Sequence, residues 1–193
     1  MERISRLAAG LLAGLLLAAL LPLGTALAAG PALRPLRSGQ IASGLSREVY
    51  GFLPYWLATP ATERDLHYEL LSTVSLFSVG LGPRGALVQS GPGYAFVDGP
   101  AGARVITAAH AAGVRVDITF TSFGMAPNRA ILRSPAARSQ FIRQAVALMA
   151  ERGADGASLD FEGLYLKDLP AFTALVRDFG RAARARNPLA HVS

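Results

Sequence analysis

The chain has 193 residues, with 19 basic against 13 acidic side chains for a net charge of +6, and it contains no cysteine. Without thiols it can hold no disulfide, no thiolate zinc site and no lipidated cysteine. The basic excess is mostly arginine scattered along helical stretches with little aromatic interleaving, so no nucleic-acid partner is expected and a solvated surface accounts for the charge.

Arg3 and Arg6 precede an uninterrupted apolar run over residues 7–21, which Pro22 and Gly24 break before Ala26-Leu27-Ala28. This is the layout of a secretory signal peptide, and it predicts cleavage after Ala28 and a secreted or cell-wall-associated product. The run is shorter than the roughly 20 residues a bilayer core needs, so no stable span is expected after cleavage. Residues 29–47, rich in Pro, Gly, Ser and Arg, read as a linker. What remains, 48–193, has the size of one domain with its own core.

Within 48–193 short apolar runs alternate with amphipathic stretches. Residues 49–56 read as a first strand ending near Pro54, and 61–71 as a short helix with Thr59 as N-cap and Pro60 in its first turn. Residues 72–81 are β-rich and almost wholly small or apolar, as in a strand buried on both faces. Gly and Pro punctuation across 82–99 predicts a small hairpin built from 86–89 and 94–97, with Asp98 and Gly99 in a turn. A helix over 101–112 stops at Gly113, and 114–121 form the third main strand. Ser134 caps a helix that carries Pro135 in its first turn and ends at Gly153. A fourth strand over 157–161, a helix over 169–186 closed by Asn187-Pro188, and a fifth strand starting at His191 complete the series. Strand and helix alternating at this spacing predict parallel βαβ units, which a doubly wound sheet and a (β/α)8 barrel share. No Gly-rich phosphate fingerprint follows the first strand, so no nucleotide cofactor is expected.

The stretch from Asp155 to Gly163 carries the chemistry. Strand side chains alternate, so Ser158, Asp160 and Glu162 share one face and Ala157, Leu159 and Phe161 the other. Carboxyls two residues apart on a strand have Cα atoms about 6.6 Å from each other. Acidic pairs that resist ionising together leave one member holding a proton, the equipment for general-acid work on a glycosidic oxygen. An isolated Asp-x-Glu more often caps a helix or faces water. At the carboxyl end of a buried parallel strand it occupies the place where α/β enzymes carry catalytic groups.

This stretch resembles the DxxDxDxE signature of glycoside hydrolase family 18, the chitinases and related N-acetylglucosaminidases. Asp155 matches its first Asp, Asp160 its third and Glu162 its terminal Glu, while Ser158 stands at the middle Asp. Two further segments match in order. Gly51-Phe52-Leu53-Pro54-Tyr55-Trp56 is similar to the first-strand segment of cell-wall and spore-type members. Ser122-Phe123-Gly124 is similar to the third-strand SxGG motif, with Met125 in place of its second Gly.

The resemblance implies a (β/α)8 TIM barrel, of which this chain would carry about four β/α units. A complete barrel takes about 250 residues, so exposed strand edges, with poor stability or self-association, are expected of the chain as it stands, and an inactive fragment is one alternative reading. It also implies retaining hydrolysis of a β-linked N-acetylglucosamine polysaccharide, chitin or peptidoglycan, with help from the substrate's own acetamido group. Glu162 would protonate the leaving oxygen, Asp160 would orient the acetamido group, and Ser158 would offer a hydrogen bond without the charge of the usual Asp. Asp155 joins the catalytic set by the same match.

Phe52, Tyr55 and Trp56 are candidate sugar-contacting residues, Tyr55 and Trp56 being equally placed to pack at the rim. Ser122 is a candidate partner near Asp160. Asp117, in mid-strand, is open to an inner polar cluster or to an arginine. His67, His110 and His191 show no metal-ligand spacing, so no metal site is expected and surface or helix positions are. Two other readings remain: a lectin-like glycan-binding protein, against which Glu162 counts, and a metal-dependent barrel phosphodiesterase, for which the early strands offer no ligand cluster.

Overall fold

Five apolar segments pair as parallel strands, and the spatial order is the chain order: β1 (Tyr50–Pro54), β2 (Thr73–Gly80), β3 (Arg115–Phe123), β4 (Gly156–Glu162) and β5 (His191–Val192). The protein is described by a computed structural model over residues 47–193; the expected signal peptide and all but the last residue of the expected linker lie outside the described residues. Among the described residues no helix is long and apolar enough to cross a membrane.

Parallel pairing gives the sheet two chemically different faces. Leu53, Leu76, Ile118, Phe120, Ala157 and Phe161 are buried on the side covered by helices. In register beside them, Phe52, Ser75, Asp117, Thr119, Ser158 and Asp160 occupy the opposite side. That second face is largely polar and its hydroxyls pair with one another, Ser75 Oγ lying 2.7 Å from Thr119 Oγ1 and Ser78 Oγ 3.2 Å from Thr121 Oγ1. A register shift between Phe77 and Val79 makes Ser78 the extra residue of a bulge, which lets it join Thr121.

The helices close over the apolar face. Those of the sheet's first half are α1 (Pro60–Arg64), α2 (Pro92–Asp98) and α3 (Pro100–Ala111). The second half carries α4 (Met125–Arg133), α5 (Pro135–Arg152) and α6 (Leu169–Arg186). Three fully buried rings tie the sheet to the last two helices: Phe120, Phe141 and Phe179 lie 5.5 to 6.1 Å apart between centroids. Burying each of these side chains stabilises the fold by about 2–3 kcal/mol before ordering entropy is subtracted. Local chemistry sets the ends of α5. The Ser134 hydroxyl accepts from the Ala137 amide at 3.2 Å, Pro135 opens the first turn, and Gly153 takes the left-handed conformation at φ 72°.

Three expectations are corrected. The helix after Thr59 is capped as expected but ends at Arg64, and a separate 3-10 turn spans Tyr68–Leu70. Leu66, Tyr68 and Leu71 each turn partly into the core, which one continuous short helix would not allow. Residues 82–99 do not form a hairpin: after a single Leu81–Leu87 bridge, Pro92–Asp98 is helical. Gly93 is there for packing, since a Cβ at that position would lie 1.9 Å from the Ser78 carbonyl oxygen. Helix α4 was not expected from the sequence at all.

Candidate active site

The alternation of β4 is realised. Leu159 and Phe161 are buried, Ser158 and Asp160 are half-exposed, and Glu162 is exposed at the carboxyl end of the strand. These three polar residues share a cleft of about 480 Å³ with Phe52, Trp56 and Phe77. The aromatic side is a built wall: Phe52 and Trp56 both meet Phe77 edge-on, at 6.1 and 5.8 Å between centroids. Phe52 is nevertheless 54% exposed and Trp56 58%. Large apolar rings left open beside carboxyl groups form a surface on which a sugar ring can stack while its hydroxyls meet the acids.

Glu162 is held through its backbone. Its carbonyl oxygen accepts from the Gly124 amide at 2.9 Å and from Asn128 Nδ2 at 2.6 Å. The chain then turns at Gly163, with φ 78°, close against the turn after β3, where Gly124 has φ 95°. A Cβ on Gly163 would lie 3.3 Å from both the Gly124 Cα and the Met125 nitrogen, so the two turns touch backbone to backbone. Further along, the buried Asp168 carboxylate meets Arg129 and Arg133 of α4 at 3.4 and 3.5 Å. The Arg129 guanidinium also lies 5.3 Å from the centroid of the Tyr165 ring. The loop that follows Glu162 is thereby fastened to α4.

Three expected site residues lie elsewhere. Asp155 sits at the opposite end of β4, buried, where its Oδ2 accepts from the Val116 amide and pairs with His110 Nε2, both at 2.8 Å. It joins β3 to β4 and does not reach the cleft. Ser122 pairs in register with Phe161 and is buried on the helix-covered face, its hydroxyl without a partner. The residue beside Asp160 is Thr121. Tyr55 packs partly into the core, its ring edge-on to Trp56 at 4.9 Å, so of the two rim aromatics only Trp56 lines the cleft.

One layer closer to the amino ends of the strands, Asp117 is fully buried, and its Oδ2 accepts from the Tyr50 hydroxyl at 2.9 Å and pairs with His191 Nδ1 at 2.8 Å. The open choice for Asp117 resolves to this inner cluster. Burial, and then the Asp117 charge, push the Tyr50 hydroxyl up to about 12. The hydrogen bond to Asp117 raises His191 above the ordinary imidazole value. His110 lies in a helix, α3, as expected, and both it and His191 pair with carboxylates, while His67 is exposed with Glu69 beside it. Asp98 ends α2, its carboxylate 3.9 Å from Arg152.

Sequence reasoning missed Phe77 and Asn128. Phe77 belongs to a strand without alternation, which hides its sidedness. Asn128 did carry a signal: helical spacing places it with Ile131 and Leu132, and all three are buried.

No family model matches the sequence, and no curated protein does so significantly. Solved structures do match. The spore cortex-lytic enzyme SleL of Bacillus megaterium is 17% identical, with 75% of this chain and 34% of that one covered at a TM-score of 0.61. A class V chitinase from Pseudomonas fluorescens is 24% identical, with 74% and 44% covered at 0.56. A chitinase from Bacteroides thetaiotaomicron is 20% identical, with 69% and 42% covered at 0.55. The chain spans less than half the length of each of these structures, and over that span it shares their α/β fold, a parallel sheet with helices between its strands.

Proposed function

We propose that this chain belongs to a (β/α)8 glycoside hydrolase of the family 18 type that cleaves β-linked N-acetylglucosamine polysaccharide, chitin or peptidoglycan, with retention. The observation that carries this reading is the cleft in which Asp160 and Glu162, at the carboxyl end of a parallel strand, face Phe52 and Trp56. The fold shared with chitinases and a cortex-lytic enzyme supports it.

In this reading a sugar stacks on the aromatic wall and Glu162 donates its proton to the glycosidic oxygen as the bond to the anomeric carbon breaks. The substrate's acetamido oxygen attacks that carbon, and Asp160 orients the acetamido N–H and balances the charge that develops. Water then attacks the anomeric carbon as Glu162 takes up its proton, which restores the acid. Ser158 supplies a hydroxyl where the family signature has its middle Asp, so on that side Asp160 has no carboxyl with which to share a proton and Glu162 is its acidic neighbour. The sequence of residues 1–28 supports export of the product.

The test is release of fluorophore from an N,N′-diacetylchitobioside, and of reducing ends from peptidoglycan, by the full-length protein and its Glu162→Gln variant. Turnover in the variant is expected to fall by about 10²–10⁴-fold, the usual range for a general acid. An active variant removes Glu162 from that role. A full-length protein that binds both glycans and cleaves neither is the lectin-like alternative, and Ser158 is the residue that favours it.

A further inference from the structure

We infer that Asn128 is the positioning residue for Glu162, holding the proposed acid in register from the first turn of a helix on a neighbouring β/α unit. The inference rests on the reading of Glu162 as the acid. Three observations carry it. Asn128 Nδ2 donates to the Glu162 carbonyl at 2.6 Å and approaches that of Gly163 at 3.4 Å, so one amide bridges the residue that bears the carboxyl and the hinge behind it. The Asn128 backbone amide donates to the Gly124 carbonyl at 3.1 Å, and the Gly124 amide donates to the same Glu162 oxygen. Asn128 therefore closes a ring of hydrogen bonds joining the end of β3, the start of α4 and the end of β4. The Glu162 carboxylate takes no part in any side-chain hydrogen bond among the described residues, so its placement depends on how firmly its Cα is held.

The third observation concerns what Asn128 gives up. It is 1% exposed, and its Oδ1 is buried without a partner. A buried acceptor left unpaired lowers stability, and an apolar side chain of similar volume would remove that penalty. For folding alone, an apolar side chain of this volume would serve better than an amide whose acceptor has no partner. Such exceptions to polar satisfaction gather at functional sites, where placement outweighs stability.

The experiment compares Asn128→Leu with the parent in the full-length protein, reading kcat, KM and the thermal midpoint together. Leucine keeps the volume and removes both the donor and the orphaned acceptor. A displacement of the acid by about 1 Å costs on the order of 10²-fold in rate. The expected result is a fall in kcat of about 10–100-fold with KM within twofold and a thermal midpoint unchanged or raised. A purely structural Asn128 gives the opposite pattern: a lower midpoint with kcat per folded molecule intact, and that result overturns the inference. Should Asn128→Leu not fold, Asn128→Asp keeps the shape and removes the Nδ2 donor. Full kcat in a folded Asn128→Asp overturns the inference equally, and a kcat loss there supports it. The parent and Glu162→Gln are assayed alongside. A parent without Glu162-dependent turnover refutes the assignment of the acid itself, whereas a Glu162-dependent parent with an unimpaired Asn128 variant refutes only the positioning role.

Discussion

Asp155 has its oxygen on a strand amide, and that contact defines its role. Replacing it by alanine leaves the Val116 N–H buried without an acceptor and frees His110 from its partner. The expected cost is about 1–3 kcal/mol, which in a domain of this size lowers the thermal midpoint by about 2–4 °C for each kcal/mol. Catalysis per folded molecule should not change, and a selective loss of kcat would return Asp155 to the reacting groups. His191 makes a second prediction at this scale. Its folded value is raised by Asp117, so the folded state holds the proton more tightly than the unfolded chain. The stabilisation is complete below the ordinary imidazole value of 6.5 and drains away as pH rises through the folded value. The urea midpoint should fall from pH 6 toward pH 8 in the parent and fall less in His191→Gln; parallel profiles would rule out the pair as the source. The sequence itself displayed Asp160 and Glu162, because period-two alternation is a local property. It could not display that Ser122 faces away from them or that Asp117 meets His191, because strand register and contacts across dozens of residues are not local.

The elements were most legible where their own ends are chemically marked. Ser134 with Pro135 and Gly153 specify α5 at both ends without reference to the rest of the chain. Gly and Pro between residues 82 and 99 were ambiguous, since the same pair that punctuates a turn also opens a helix and permits close packing. Gly93 shows which use applies. Gly93→Ala must separate α2 from β2, because the contact is with backbone and neither side can rotate away. A loss of about 1–3 kcal/mol is expected, the range for an overpacked core position. Gly82→Ala, where the nearest atom would be 3.6 Å away, serves as the control. Equal denaturation midpoints for the two variants would mean that α2 does not rest on the Ser78 carbonyl as described. Helix α4 was missed for a related reason: Gly124 and Pro127 read as loop punctuation, although a proline in the first turn is compatible with a helix.

Over the described residues, the two faces of the sheet differ in character. The helix-covered face holds the phenylalanine cluster and the buried aliphatic side chains, while the other carries the carboxyls, hydroxyls and exposed rings of the cleft. Substitutions at the open cleft positions of the second face, such as Phe52 and Glu162, should therefore disturb the core less than substitutions on the first, whereas Asp117 on the same face is fully buried. The strand order has a separate consequence. Because β1 to β5 lie side by side in the order in which they are synthesised, each new strand finds its hydrogen-bonding partner already made. Among these five described strands no pairing skips a β/α unit, so each loop to be closed is as short as a parallel sheet allows, and the entropic cost of closure grows with loop length. A nascent chain emerging amino end first can thus add these strands to the growing sheet one β/α unit at a time.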